Sequence, residues 1–176
     1  MRVTIVSGST KADSTVLHLC RYIATCMEGA GHEVKIFDQA TMPLPMMCET
    51  EKYDDNEHVN NLKSWLDEAD GIVLATPEYH GAMSGCLKNA LDFLWPQFGG
   101  KPVTVASVAG GAVGVSSMLM LQTIMRQVHA INSPEWISLC GPDREFNEDG
   151  SPGNEKVASR IQKACTKLDG LMKALR

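Results

Sequence analysis

At 176 residues the chain is long enough for one domain with a full core, and its composition carries no disordered or fibrous signature. A net charge of -5, dispersed acidic residues and the lack of a clustered basic stripe argue against nucleic acid as a partner. No apolar stretch approaches the ~20 residues that span a bilayer, and the amino-terminal run is too brief for a signal peptide, so a cytoplasmic protein without a membrane partner is expected.

The first strand runs from Val3 to Val6 and hands over to a loop, Ser7-Gly8-Ser9-Thr10-Lys11-Ala12-Asp13-Ser14-Thr15. A helical pattern begins near Val16, with Cys20, Ile23, Ala24 and Met27 on one face, and Gly29 to Gly31 ends it. In an open α/β sheet this handover faces the crevice beyond the carboxyl ends of the strands. Free N–H groups and the helix dipole favour an anion there. The hydroxyls of Ser9, Thr10, Ser14 and Thr15 with the ammonium of Lys11 read as a cradle for one phosphate. Helix capping alone also accounts for Asp13 or Ser14.

Strand two, Glu33 to Phe37, alternates polar and apolar residues, which suits a position nearer a sheet edge. The long connection from Asp38 to Asp55 holds Met42, Met46 and Met47, which would pack on a ligand, a partner subunit or the chain's own flank. Helix two starts near Asn56 and carries Val59, Leu62, Leu66 and Ala69. Strand three, Gly71 to Thr76, is nearly all apolar, as a central parallel strand should be.

A second loop follows, Thr76-Pro77-Glu78-Tyr79-His80-Gly81-Ala82-Met83-Ser84-Gly85, with Gly81 and Gly85 expected in tight turns. Such a turn can aim backbone N–H groups at the edge of a planar ring. No serine, cysteine or carboxylate is spaced to form a triad with Tyr79 or His80, so His80 reads as a contact rather than a base. Helix three places Leu87, Ala90, Leu91, Phe93, Leu94 and Trp95 in sequence, and strand four spans Val103 to Val108. The third loop, Ser107-Val108-Ala109-Gly110-Gly111-Ala112-Val113-Gly114, has small residues that let main chain touch a ligand.

Helix four carries Val115, Met118, Leu119, Met120, Leu121, Ile124, Met125 and Val128, more than one apolar stripe. Helices three and four are therefore expected at a subunit interface. A short strand, Trp136 to Leu139, and a last helix, Glu155 to Leu175, complete five strands alternating with five helices. That alternation predicts an α/β fold with a doubly wound parallel sheet and helices on both faces. The six cysteines contain no C-x-x-C pair and are expected as free thiols, with no metal site. G-x-G-x-x-G fails at the first loop because Gly8 is alone, and G-x-x-x-x-G-K-[ST] fails because Pro102 follows Lys101.

Four stretches resemble the NADPH-dependent FMN reductase family, which includes quinone, azo-dye and chromate reductases. Its G-S-x-R-x-x-S loop, P-E-Y-N-G turn, G-x-L-K-N-A-x-D helix and glycine-rich third loop correspond here to Gly8–Ser14, Pro77–Gly81, Gly85–Asp92 and Ala109–Gly111. Lys11 stands where the family has Arg, and His80 where it has Asn. The resemblance implies a flavodoxin-like domain over residues 1–176, with strand order 2-1-3-4-5. It implies FMN as cofactor and NADPH or NADH as electron donor. Ser9, Thr10, Lys11, Ser14 and Thr15 would then meet the phosphate. Pro77, Glu78, Tyr79, His80 and Gly81 would line the isoalloxazine, and Ser107, Ala109, Gly110 and Gly111 its pyrimidine side. Electrons would pass by a ping-pong mechanism to a small acceptor (a quinone, a flavin, an azo compound or a metal oxyanion), with no protein group as catalyst. A homodimer or homotetramer is implied. A flavodoxin-type electron carrier without its own NAD(P)H oxidation is the alternative.

Overall fold

A computed structural model describes residues 1–111 and 113–176. Strands β1 (Arg2–Ser7), β2 (Glu33–Asp38), β3 (Gly71–Tyr79), β4 (Ala82–Met83), β5 (Pro102–Ala109), β6 (Ile131–Asn132) and β7 (Ile137–Cys140) alternate with helices α1 (Thr15–Gly29), α2 (Glu57–Glu68), α3 (Gly85–Asp92), α4 (Val115–Gln127) and α5 (Glu155–Ala174). The sheet runs β2-β1-β3-β5-β6, with β7 also paired to β5 and β4 to β3. This is the expected flavodoxin-like order, with the fifth position divided between two short parallel strands on β5. Two details differ from a five-stranded, wholly parallel sheet. The run Trp136–Leu139 shifts by one residue to Ile137–Cys140 and is preceded by the separate pair Ile131–Asn132. A second hairpin arm, β4, pairs antiparallel with the end of β3.

Side-chain alternation sends each central strand into two cores. Val3, Ile5, Val73 and Ala106 pack under α1 and α5 with Ile23, Met27, Ile161 and Leu168. Val6, Ile72, Leu74 and Val105 pack on the other face with Leu66, Leu87, Met118 and Met125. The near-continuous apolar sequence of β3 follows from this, since both of its faces are covered. β2, read as an edge strand, lies at the sheet edge beside β1.

β3 runs on through Pro77 to Tyr79, past the Thr76 expected from sequence. β1 stops at Ser7, opposite Ala75, and β4 joins only at Glu78, so Pro77 lies between these two partners, where a proline is tolerated. α3 ends at Asp92 rather than continuing to Trp95, and a 3₁₀ turn follows over Pro96–Phe98. Four of the helices begin on a capping side chain: Ser14 accepts from the Leu17 N–H, Asn56 from Val59, Ser84 from Leu87 and Asn154 from Lys156. Lys101, which failed as a phosphate-loop lysine, donates instead to the Leu66 and Asp67 carbonyls at the end of α2. Among the described residues no helix is long and apolar enough to cross a membrane.

Candidate functional site

The carboxyl ends of β1, β3 and β5 are adjacent, so the loops that leave them share one rim of the sheet. The first loop passes over β3, where the Gly8 N–H donates to the Ala75 carbonyl at 2.7 Å. A Cβ on Gly8 would sit 2.7 Å from Leu87 Cβ and 2.9 Å from the Ala75 oxygen, so only glycine lets the loop lie this close. Ser9 and Ser14 are buried, whereas Thr10 and Lys11 are exposed and Thr15 is half-buried.

The Ser9 hydroxyl oxygen accepts from the Lys11 N–H at 3.3 Å, and that of Ser14 accepts from Leu17 N–H at 3.1 Å. Each hydroxyl thus spends an acceptor on the protein and keeps its own hydrogen to donate. Capping and anion binding, alternatives at Ser14 from sequence, are compatible roles for one hydroxyl. The one carboxylate of the loop, Asp13, is in the left-handed region at φ 55. It lies 3.0 Å from His18 Nε2 and 3.9 Å from the Arg21 guanidinium, whose charge opposes its own beside the anion-binding groups. Beneath the loop, burial pushes the Cys20 thiol up to about 12, so it packs as a neutral group.

The second stretch is a β-hairpin. Tyr79 pairs with Ala82, and the two residues between them, His80 and Gly81, lie at φ 53 and 73. Two consecutive positive φ values define a type I′ turn, the connection that matches strand twist. Gly85, expected in a tight turn, instead opens α3. Pro77 is buried, whereas Tyr79, His80 and Gly81 are exposed at the hairpin tip. The Glu78 side chain turns away from the tip and accepts from Ser117 at the start of α4.

Ser84, which the motif reading passed over, joins the first two loops. Its hydroxyl donates to the Gly8 carbonyl at 2.6 Å and accepts from Leu87 N–H at 3.2 Å, while its own N–H donates to Thr76 Oγ1 at 2.9 Å. Cys86 Sγ lies 3.2 Å from the same Gly8 oxygen. A serine directly before a helix is a capping signal in sequence, but its second bond spans 76 residues and leaves no local mark.

In the third stretch Gly110 and Gly111 are exposed and Ala109 is buried. Ser107 is fully buried, its hydroxyl 2.8 Å from Ser117 Oγ, and so forms the floor beneath the loop rather than its accessible surface. Ala112, part of this stretch, lies outside the described residues. The rim therefore offers buried hydroxyl donors, an exposed lysine and the first turn of α1 at one end. At the other it has a hairpin tip and two exposed glycines.

Comparison with known proteins agrees in fold and in motif. The sequence profile described as NADPH-dependent FMN reductase matches residues 1–141. An NADPH azoreductase from Bacillus sp. (strain OY1-2) is 36% identical over 167 residues, covering 92% of this chain and 91% of that protein. An FMN-dependent NADPH-azoreductase from Staphylococcus aureus (strain USA300) is 35% identical over 156 residues, 86% of this chain and 83% of its own. Among solved structures, the flavoenzyme NAD(P)H:(acceptor) oxidoreductase from Paracoccus denitrificans superposes with a TM-score of 0.81 at 25% identity, over 98% of this chain and 97% of that one.

Proposed function

Since the chain belongs to the NADPH-dependent FMN reductase family, we propose that it works as an FMN-dependent NAD(P)H oxidoreductase that reduces a small acceptor, such as an azo compound or a quinone. The observation that carries the reading is the donor set of the first loop. Ser9 and Ser14 hold hydroxyl hydrogens free to donate, at the N-terminus of α1, in the loop that also carries the exposed Lys11. That set suits a terminal phosphate and provides no second phosphate site, which fits a mononucleotide better than a dinucleotide.

In this reading Ser9, Thr10, Lys11, Ser14 and Thr15 bind the FMN phosphate. Each charge-assisted hydrogen bond contributes about 1.5–3 kcal/mol. Backbone at Pro77–Gly81 and the exposed Gly110 and Gly111 orient the ring, with Ala109 and Ser107 supporting them from below. FMN, when bound, would supply the redox chemistry, with hydride acceptance from NADPH and electron delivery to the acceptor. The chain's own part is to fix the ring between two loops already bonded to their neighbours, so little reorganisation is needed when charge develops there. Residues 1–176 act as one such FMN-binding domain.

The chain assembles as a homodimer or homotetramer through α3 and α4. Leu119 is 51% exposed, Met120 41% and, just past α3, Trp95 62%. A groove of about 510 Å³ lined by Leu91, Trp95, Ile124 and Val128 adjoins them. A cytoplasmic location follows from the need for a nicotinamide donor. Anaerobic addition of NADPH to the FMN-loaded chain, read as loss of the flavin's visible absorption, tests the reading.

A further inference from the structure

Of the helices that begin at the rim, α1 and α3 carry their own caps, Ser14 and Ser84. α4 does not. Its N-cap residue is Gly114, which has no side chain to offer. The glycine is required, because a Cβ there would stand 2.5 Å from Ser107 Oγ and 3.3 Å from Ala109 Cβ. Close docking of α4 on the end of β5 therefore removes the local cap. The missing acceptor arrives from another strand: Glu78 Oε2, near the end of β3, accepts from Ser117 N–H at 3.0 Å and from Ser117 Oγ at 2.8 Å. Ser117 Oγ in turn lies 2.8 Å from Ser107 Oγ. With Ser117 donating to the carboxylate, Ser107 donates to Ser117, and a directed chain of hydrogen bonds joins β5, α4 and β3.

We propose that Glu78 is a positioning residue: it caps α4 across the sheet and thereby holds the third loop in the form that meets the flavin ring. The part that concerns the ring rests on the flavin reading above. Ser107 and Ser117 are fully buried, so the Ser117 amide relies on the carboxylate for its acceptor. The Ser117 hydroxyl has a second acceptor, the Gly114 carbonyl at 3.2 Å, whereas among the described residues the amide has only Glu78. The hairpin arm β4 also packs beside α4. The second and third loops are thus tied together by one carboxylate oxygen and by the packing of β4 beside α4.

The test compares wild type, Glu78→Ala and Glu78→Gln by titration with FMN and with riboflavin, and by amide exchange in the first turn of α4. Glu78→Gln keeps a carbonyl acceptor and should bind FMN within about threefold of wild type. Glu78→Ala should bind FMN about tenfold more weakly. The ratio of the riboflavin to the FMN dissociation constant reports the phosphate contacts alone and should be the same in all three proteins. A general loosening of the fold would change that ratio. Wild-type affinity in Glu78→Ala, a Glu78→Gln protein as weak as Glu78→Ala, or a changed ratio would each overturn the proposal. If Glu78→Ala does not fold, Glu78→Asp replaces it, with its carboxylate withdrawn by one methylene and the same tenfold loss expected. Should wild type take up no flavin, the flavin reading fails and amide exchange decides the cap on its own. Exchange at Ser117 about tenfold faster than wild type in the variant supports it, and equal exchange contradicts it.

Discussion

His80 shows how one residue can be constrained by backbone before it is constrained by chemistry. It and Gly81 are the two central residues of a type I′ turn, each at positive φ. Asn-Gly is the preferred pair for that turn, which gives a conformational reason for the asparagine found here in the related P-E-Y-N-G motif. Histidine enters the left-handed region at a cost of about 1 kcal/mol, and asparagine at less. His80→Asn should therefore leave the apo chain's thermal midpoint unchanged or raise it by a few degrees; a marked drop would mean that the imidazole itself holds the hairpin. Residue identity was legible in the sequence at this scale, and side-chain direction was not. Glu78 and Ser107 both stand in stretches expected from the resemblance to line the flavin ring, yet both turn into the α4 network, because Gly114 lets that helix lie close on β5.

The long connection between β2 and α2 belongs to the scale of elements. Met42 and Leu44 pack on the chain's own flank, while Met46 is 79% exposed. Asn89, in the middle of α3, receives the Met47 N–H on its side-chain oxygen at 2.8 Å and donates its amide to the Pro45 carbonyl at 2.8 Å. Tyr53 adds a second tie, donating to the Met46 carbonyl and stacking edge-on against Phe93. The Asn89 of the G-x-L-K-N-A helix thus serves the loop rather than the helix. Asn89→Ala removes both bonds and should loosen residues 45–48 by about 1–2 kcal/mol without unfolding the chain. Proteolytic nicking there should rise several-fold, and unchanged protection would show that Tyr53 alone anchors the loop. The strongly periodic helices and the long strands of this chain were readable because burial repeats along them. β4, β6 and the early stop of α3 were not, since two-residue strands carry no period and a helix end at Phe93 has no glycine or proline beside it.

For the whole molecule, the doubly wound sheet with helices on both faces followed from the alternation of βα units, and the strand order from the resemblance to flavodoxin-like reductases. The over-apolar surface of α4 was also readable. Its reason is not supplied by the single chain, in which Met118, Leu121 and Met125 are buried while Leu119 and Met120 face outward. A second copy covering them predicts a dimer or tetramer in sedimentation of the purified chain. Conversion to monomers by Trp95→Glu with Leu119→Glu would place the interface on α3 and α4, and an unchanged assembly would exclude that surface.

The central claim is that three loops on one rim hold an FMN that NADPH reduces. The direct measurement is a visible spectrum of the FMN-loaded chain, taken without oxygen before and after one equivalent of NADPH. The account predicts that the flavin band bleaches and then returns on adding a small azo compound or quinone. A chain that binds FMN but keeps its colour with NADPH, and loses it only to a reduced partner protein, would contradict the account and mark an electron carrier.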